Sequence, residues 1–304
     1  MSSTTQAELS TRPTVAIRRW SAAKTRRGLG RAALYIGLAA AALVFFTRVY
    51  WVTVASFKPP AELRQIPPTW WPQTFTLANY PEVWRAAFAR YFLNSFIYSG
   101  GTTLVVRLTS SLIGYVLVKD PSRFGNMVFW FILAASMVPF VTYLLPLFNI
   151  LLRIQRWTGV PMVNTYWGMI LPWLVFPFGV FLMRQYMLGI PDELLDAARM
   201  DGAGDMRLFW QLALPMSAPP LVTLAIFTFF ANWNDLFWPV LIIRTKELYT
   251  LPLALMLLRS RFPLHVDYAV IFAASFLATI PTLLIFFLLQ RYFQGDILGG
   301  ALRE

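Results

Sequence analysis

Six long apolar segments dominate this chain, at about 32–57, 91–118, 126–151, 166–188, 217–243 and 267–290. Each meets the requirement of about 20 mostly apolar residues for a membrane-crossing helix. With 58% hydrophobic and 13% charged residues over 304 positions, the chain is too apolar for a soluble domain of its size. The pattern predicts an all-α integral membrane protein of six transmembrane helices, spanning residues 31–304. Residues 1–30 form a basic cytosolic tail that is expected to be disordered.

That tail carries Arg12, Arg18, Arg19, Lys24, Arg26 and Arg27. Beside a membrane span these charges are read as contacts to lipid headgroups and as an orientation signal, with no nucleic-acid partner. The first apolar run is too long for a signal peptide and lacks a small-residue cleavage site, so it stays as an anchor. With the N-terminus inside, 58–90, 152–165 and 244–266 fall outside; 119–125, 189–215 and both termini fall in the cytosol.

Several chemistries are excluded. Without cysteine there are no disulfides, thiol nucleophiles or thiolate metal sites. A phosphate-binding loop needs Gly-Lys followed by Ser or Thr, yet Lys24, Lys58, Lys119 and Lys246 follow Ala, Phe, Val and Thr. One histidine, His265, cannot make a two-histidine metal site, and no metal site is expected. Gly202 to Asp205 reads "GAGD", as in intramembrane aspartyl proteases, but no second aspartate stands in a span to share a proton. The chain is therefore expected to be non-catalytic. Arg48, Arg107, Asp235 and Asp267 are ionisable groups in or beside the spans and would suit an ion-coupled secondary carrier, the rival reading; contacts between helices account for them as well. Duplicated halves, common in such carriers, are not visible. Six helices make half a pore, whose other half is another chain.

Outside the spans, "SFKPPAELRQIPPTWWPQTFTLANYPEVW" reads as an ordered external cap with a short helix after Pro81, and Trp70, Trp71 and Trp84 suit interfacial anchors. Prolines at 139, 146, 172, 177, 219, 220, 239 and 281 predict kinks in the spans. The segment from Asp196 to Pro215 is polar between two apolar runs. Pro191 and Asp192 can start a short helix whose acidic residues face its N-terminus, with Arg199 in its last turn. Leu194, Ala197, Ala198 and Asp201 share a face at helical spacing. Asp201-Gly202 turns the chain, and a second short helix over about 205–213 leads to Leu214-Pro215.

This segment resembles the cytosolic loop of permease subunits in binding-protein-dependent ABC importers: Glu-Ala-Ala, three residues, Gly, nine residues, Ile-x-Leu-Pro. Here Asp196-Ala197-Ala198 is followed by Gly202 and then by Leu212-Ala213-Leu214-Pro215. The departures are Asp for Glu and Leu for Ile. "SFK", "PTWWPQTFTLANY", "FLNSFI", "DELLDAARMDGAG", "NWNDLFWPV" and "LLQRYFQGDILGGALRE" are similar, in order, to the second permease subunit of maltose-type sugar importers. The resemblance implies the type I importer permease architecture. It also implies coupling to an ATPase through Asp196, Ala197, Ala198, Asp201, Gly202, Leu214 and Pro215. The implied partners are a homologous second permease subunit, two ATPase subunits or an ATPase homodimer, and an extracytoplasmic sugar-binding protein. ATP and Mg would be bound by the ATPase subunits, with no cofactor in this chain. The solute would be a sugar, an oligosaccharide or a related polyol or glycerophosphate. Sugars are held by aromatic faces together with polar groups, so Asn232, Trp233, Asn234 and Asp235 are candidates for the solute path. An interfacial belt role for Trp233 and Trp238 accounts for the tryptophans equally well.

Overall fold

The computed structural model describes residues 15–85, 87–119, 121–261 and 268–301. His265 and Asp267 lie outside the described residues, as do positions 1–14 of the basic tail. The first helix, α1 (Val15–Ser56), begins within the stretch expected to be a disordered tail. The chain divides into two compact units, Met1–Val54 and Ala55–Glu304. The first is the bulk of α1, whose stretch from Ala33 is long and apolar enough to cross a membrane.

In the second unit the helices are α2 (Pro60–Leu63), α3 (Asn79–Arg85), α4 (Phe88–Lys119), α5 (Arg123–Ala135), α6 (Phe140–Thr158), α7 (Tyr166–Ile170, prolonged by a 3-10 turn to Trp173) and α8 (Pro177–Met187). They continue with α9 (Asp192–Met200), α10 (Asp205–Leu208), α11 (Leu214–Met216), α12 (Ala218–Trp233), α13 (Phe237–Ile242), α14 (Leu251–Arg261) and α15 (Tyr268–Ala301). Together with α1, two of these meet the membrane-crossing criterion unbroken, α4 and the Tyr268–Leu288 part of α15. Three bent helix pairs meet it together: α5 with α6 at 108°, Tyr166–Trp173 with α8 at 47°, and Asp205–Met216 with α12 at 76°. Counting each pair as one span gives up to six, the number of apolar segments, although the third pair runs from Asp205 to Trp233 rather than over 217–243.

Prolines account for the sharp bends, because the residue before a proline is pushed off helical geometry. Pro139 opens α6 at the 108° bend, and Pro177 is the first residue of α8. Pro219 and Pro220 sit in the first turn of α12, where a missing N–H costs nothing. In contrast, Pro146 and Pro281 lie inside α6 and α15 without ending either helix. The fifth apolar segment is not one helix over 217–243. α12 stops at Trp233, and α13 resumes at Phe237 after a break at 234–236. Asn234 closes α12, its side chain donating back to the Phe230 carbonyl at 2.8 Å.

α4 packs along both α8 and α12. Its approach to α8 depends on missing side chains. A Cβ on Gly114 would lie 3.0 Å from the Arg184 nitrogen, and one on Gly179 would lie 2.4 Å from Ser110 Oγ. Small residues at such crossings let membrane helices approach closely.

The cap after α1 is ordered, as expected. Glu62 and Lys58 are both buried beneath it. Thr69 Oγ1 donates to Glu62 at 2.6 Å, the Gln73 and Thr74 N–H groups add 3.0 and 3.4 Å bonds, and Lys58 lies 3.7 Å away. Burial alone would raise the Glu62 pKa, but these hydrogen bonds and the Lys58 charge outweigh it and hold the carboxyl below its usual value. Asn79 Nδ2 closes the base by donating to the Ser56 and Lys58 carbonyls, each at 2.9 Å.

Candidate functional site

The polar segment folds as two short helices around a tight turn. α9 ends in a Schellman motif: Gly202 N–H donates to the Arg199 carbonyl at 2.9 Å and Ala203 N–H to the Ala198 carbonyl at 3.0 Å. The motif requires a left-handed residue, and Gly202 has φ +84°. Ala198 and Ala203, the two small residues bracketing it, are half-buried against the same core. The spacing from Ala198 to Gly202 is therefore the spacing of a helix stop.

The segment is fixed to the bundle from below. Leu195, Leu208, Phe209 and Ala213 are buried with Tyr115 of α4, Met183 and Met187 of α8, and Leu221 of α12. The Tyr115 and Phe209 rings lie 5.3 Å apart. Lys119, the last residue of α4, forms an ion pair with Asp205. Between α10 and α11 the helix opens into a π turn over Phe209–Ala213. The turn lies just before Pro215, whose ring would crowd the Gln211 carbonyl of a regular α-helix and offer it no donor. Leu214-Pro215 thus shapes the entry into α12. Ser217 then caps the bend, its hydroxyl donating to the Ala213 carbonyl at 2.8 Å.

Not all of the expected small-residue face points outward. Leu194, Ala197 and Asp201 are exposed, whereas Ala198 turns inward because it forms the Schellman contact. Asp196 is exposed and accepts from Arg199 at 2.6 Å within its own helix. The outward surface also holds two residues that sequence reasoning passed over, Met200 at 89% and Met206 at 63% exposure. They flank the Asp201–Gly204 turn, so the polar segment has an apolar tip. Such a pair fits a protein-docking surface.

The second candidate group does not converge on one surface. Asn232 is buried and its amide donates to the Thr228 carbonyl at 2.7 Å. Trp233 is also buried: it stacks on Phe229, meets Phe92 edge-on, and donates from Nε1 to the Ala278 carbonyl at 3.2 Å. Asn234 is exposed on a cleft bordered by α14 and α15. Asp235 points elsewhere. Its Oδ2 accepts from Tyr98 Oη at 2.8 Å and its Oδ1 from the Trp238 N–H at 3.4 Å. Tyr98 in turn accepts from Trp173 Nε1 at 3.2 Å, and Trp173 lines an aromatic cleft with Phe140, Tyr143 and Phe178. Trp238 is fully buried, bonded to the Gly168 carbonyl at 3.1 Å. The packing and the hydrogen bond make Trp233 and Trp238 interior residues. The N-terminal part of α4 is tied down by the same kind of bond: Asn94 Nδ2 reaches the Glu247 and Tyr249 carbonyls, and Tyr166 donates to Asn94 Oδ1 at 2.6 Å.

Residues 108–298 match the model of the binding-protein-dependent transport system inner membrane component family. The arabinooligosaccharides transport system permease protein AraQ of Halalkalibacterium halodurans is 34% identical, over 89% of this chain and 95% of that protein. The sn-glycerol-3-phosphate transport system permease protein UgpE of Yersinia enterocolitica is 30% identical, over 91% of this chain and 99% of that protein. Among solved structures, a bacterial ABC transporter involved in the import of the acidic polysaccharide alginate has a chain of the same fold, with a TM-score of 0.71 and 23% identity over 89% of this chain and 98% of that one. The chain belongs to the binding-protein-dependent transport system inner membrane component family, and is a non-catalytic, membrane-spanning permease subunit of an ABC importer.

Proposed function

We propose that this permease imports a carbohydrate, or a related polyol or glycerophosphate, delivered by an extracytoplasmic binding protein. Its relatives' names support that solute class, since they are permeases for arabinooligosaccharides and for sn-glycerol 3-phosphate. The 189–215 segment lies in the cytosol with both termini and docks on an ATPase subunit, which binds ATP and Mg. A homologous second permease completes the pore, over two ATPase subunits.

The observation that carries the docking role is the build of the loop: an exposed apolar tip at Met200 and Met206 on a base packed into α4, α8 and α12. A push on the tip is passed to the bundle as a rigid-body motion, because its base belongs to the bundle's core. ATP-driven closure of the two ATPase subunits would bring two such loops together and switch the pore between inward-facing and outward-facing states. The Asp235–Tyr98–Trp173 chain beside the aromatic cleft is our candidate for the solute-facing region. It combines a ring face with hydrogen-bonding groups.

The test is co-purification of the ATPase with wild-type permease and with Met200→Asp/Met206→Asp, which leaves the buried base untouched. Loss of the ATPase, with membrane insertion retained, is expected. Full retention of ATPase binding and uptake would reject the loop as the docking element.

A further inference from the structure

Arg107 lies on α4, twelve residues before its end at Lys119 and nineteen after its start at Phe88. At 1.5 Å per residue it stands about 18 Å from one end and about 28 Å from the other. With α4, about 48 Å long, centred on a hydrocarbon layer of about 30 Å, that places it about 9 Å inside the nearer boundary, below the headgroups. Its side chain is half-buried, and its Nε is buried without an acceptor among the described residues. The ion pairs among the described residues do not include it. In this respect it differs from Arg184 of α8, which donates to Asn126 at 3.1 Å and covers the Phe129 ring. Leu104 and Leu108, one helical turn before Arg107 and one position after it, are both exposed.

A guanidinium at this depth needs water or an oxygen acceptor. Among the described residues no side chain accepts from its Nε, and lipid tails cannot. We propose that the face of α4 carrying Leu104, Arg107 and Leu108 opens on the hydrated solute path, where Arg107 forms an anion-selecting site for carboxylate or phosphate oxygens of the solute. In an empty path water satisfies the guanidinium. When a solute oxyanion arrives, the planar fork of donors can bind it in bidentate fashion. A fixed carboxylate on a neighbouring subunit could meet the same donors, but both charges would then have to be stripped of water permanently. This assignment rests on the importer reading above, since a path is needed for it to face.

The chain has no cysteine, so a single introduced thiol is the only one in this subunit. The probes are two water-soluble methanethiosulfonates, the anionic sulfonatoethyl and the cationic trimethylammonioethyl reagents, applied to Leu104→Cys in the assembled importer. Both should label the thiol. The ratio of anionic to cationic labelling rates should fall about fivefold when Arg107→Gln is added, the effect of one unit charge several ångströms away in a partly aqueous setting. Arg107→Lys should keep most of the ratio. If neither reagent reaches Leu104→Cys, the face is covered by lipid or by a subunit and the proposal fails. It also fails if the ratio is unchanged in Arg107→Gln. Failure of the docking reading would show separately, as ATPase binding unaffected by the Met200 and Met206 changes.

Discussion

Gly202 isolates backbone conformation from packing. Within the chain a Cβ added there meets nothing within 4 Å, so the intrachain cost of a small substitution is in the backbone, where φ +84° penalises every L-residue. The left-handed conformation costs an L-residue about 1–2 kcal/mol, with Asn among the least penalised. If the turn opens to avoid that cost, 1 kcal/mol lowers ATPase affinity at most about fivefold. Proline differs in kind: it fixes φ near −65° and removes the N–H that donates to the Arg199 carbonyl, so the Schellman turn cannot form. A loss of about 3 kcal/mol corresponds to more than a hundredfold in affinity. ATPase binding to the permease should therefore rank Gly202, then Asn, then Ala, then Val, with Pro far below. Titrating detergent-solubilised permease with purified ATPase measures the series. Equal affinity for Gly202→Val and Gly202→Pro with the wild type would refute the claim that this turn shapes the docking surface.

What could be read from the sequence was whatever rests on spacing along one strand of chain. The six apolar runs, the helix–turn–helix of the polar segment and the ordered cap depend on local pattern, and helices form along each run, although the third, fourth and fifth are broken by bends. The bends at Pro139 and Pro177 follow the same local rule. What was not legible depends on which residues meet across the bundle. Ala198 shares a helical face with Leu194 on paper, yet it turns inward because the core under the loop comes from α4, α8 and α12. In the same way, the run Asn232 to Asp235 reads as one polar patch, but the helix stops within it and its four side chains go to different sides. Tyr98 carried a signal that could have been used. A hydroxyl in the middle of an apolar span needs a partner, and Asp235 is the acidic residue at comparable depth.

Three further outcomes are expected. Lys119→Glu should weaken coupling between ATP hydrolysis and uptake a few-fold, since an exposed pair contributes about 1 kcal/mol or less; adding Asp205→Lys should restore it, and failure of the swap would separate the pair from coupling. The Glu62 carboxyl, held below its usual pKa of 4.5 in the fold, stabilises the cap above that pH and loses this contribution as the pH falls through the lowered value. An acid titration followed by tryptophan emission should show the cap loosening in wild type and a flatter profile in Glu62→Gln; identical profiles would remove Glu62 as the cause. The third outcome concerns Tyr98 and Asp235. Tyr98→Phe deletes the donor to Asp235 and the acceptor for Trp173, leaving a carboxylate oxygen and an indole N–H without partners at a cost of about 1–3 kcal/mol each. If the pair mainly ties α4 to the break before α13, Tyr98→Phe with Asp235→Leu should destabilise the purified complex by about 1.5–3 kcal/mol less than the sum of the single changes. If Asp235 also serves the solute, Asp235→Asn should largely preserve thermal stability and subunit assembly while uptake falls, because the amide keeps an oxygen for Tyr98 and loses the charge and the long 3.4 Å bond from the Trp238 N–H. Strict additivity of the two changes would rule out the tie, and normal uptake by a stable Asp235→Asn complex would remove Asp235 from the path.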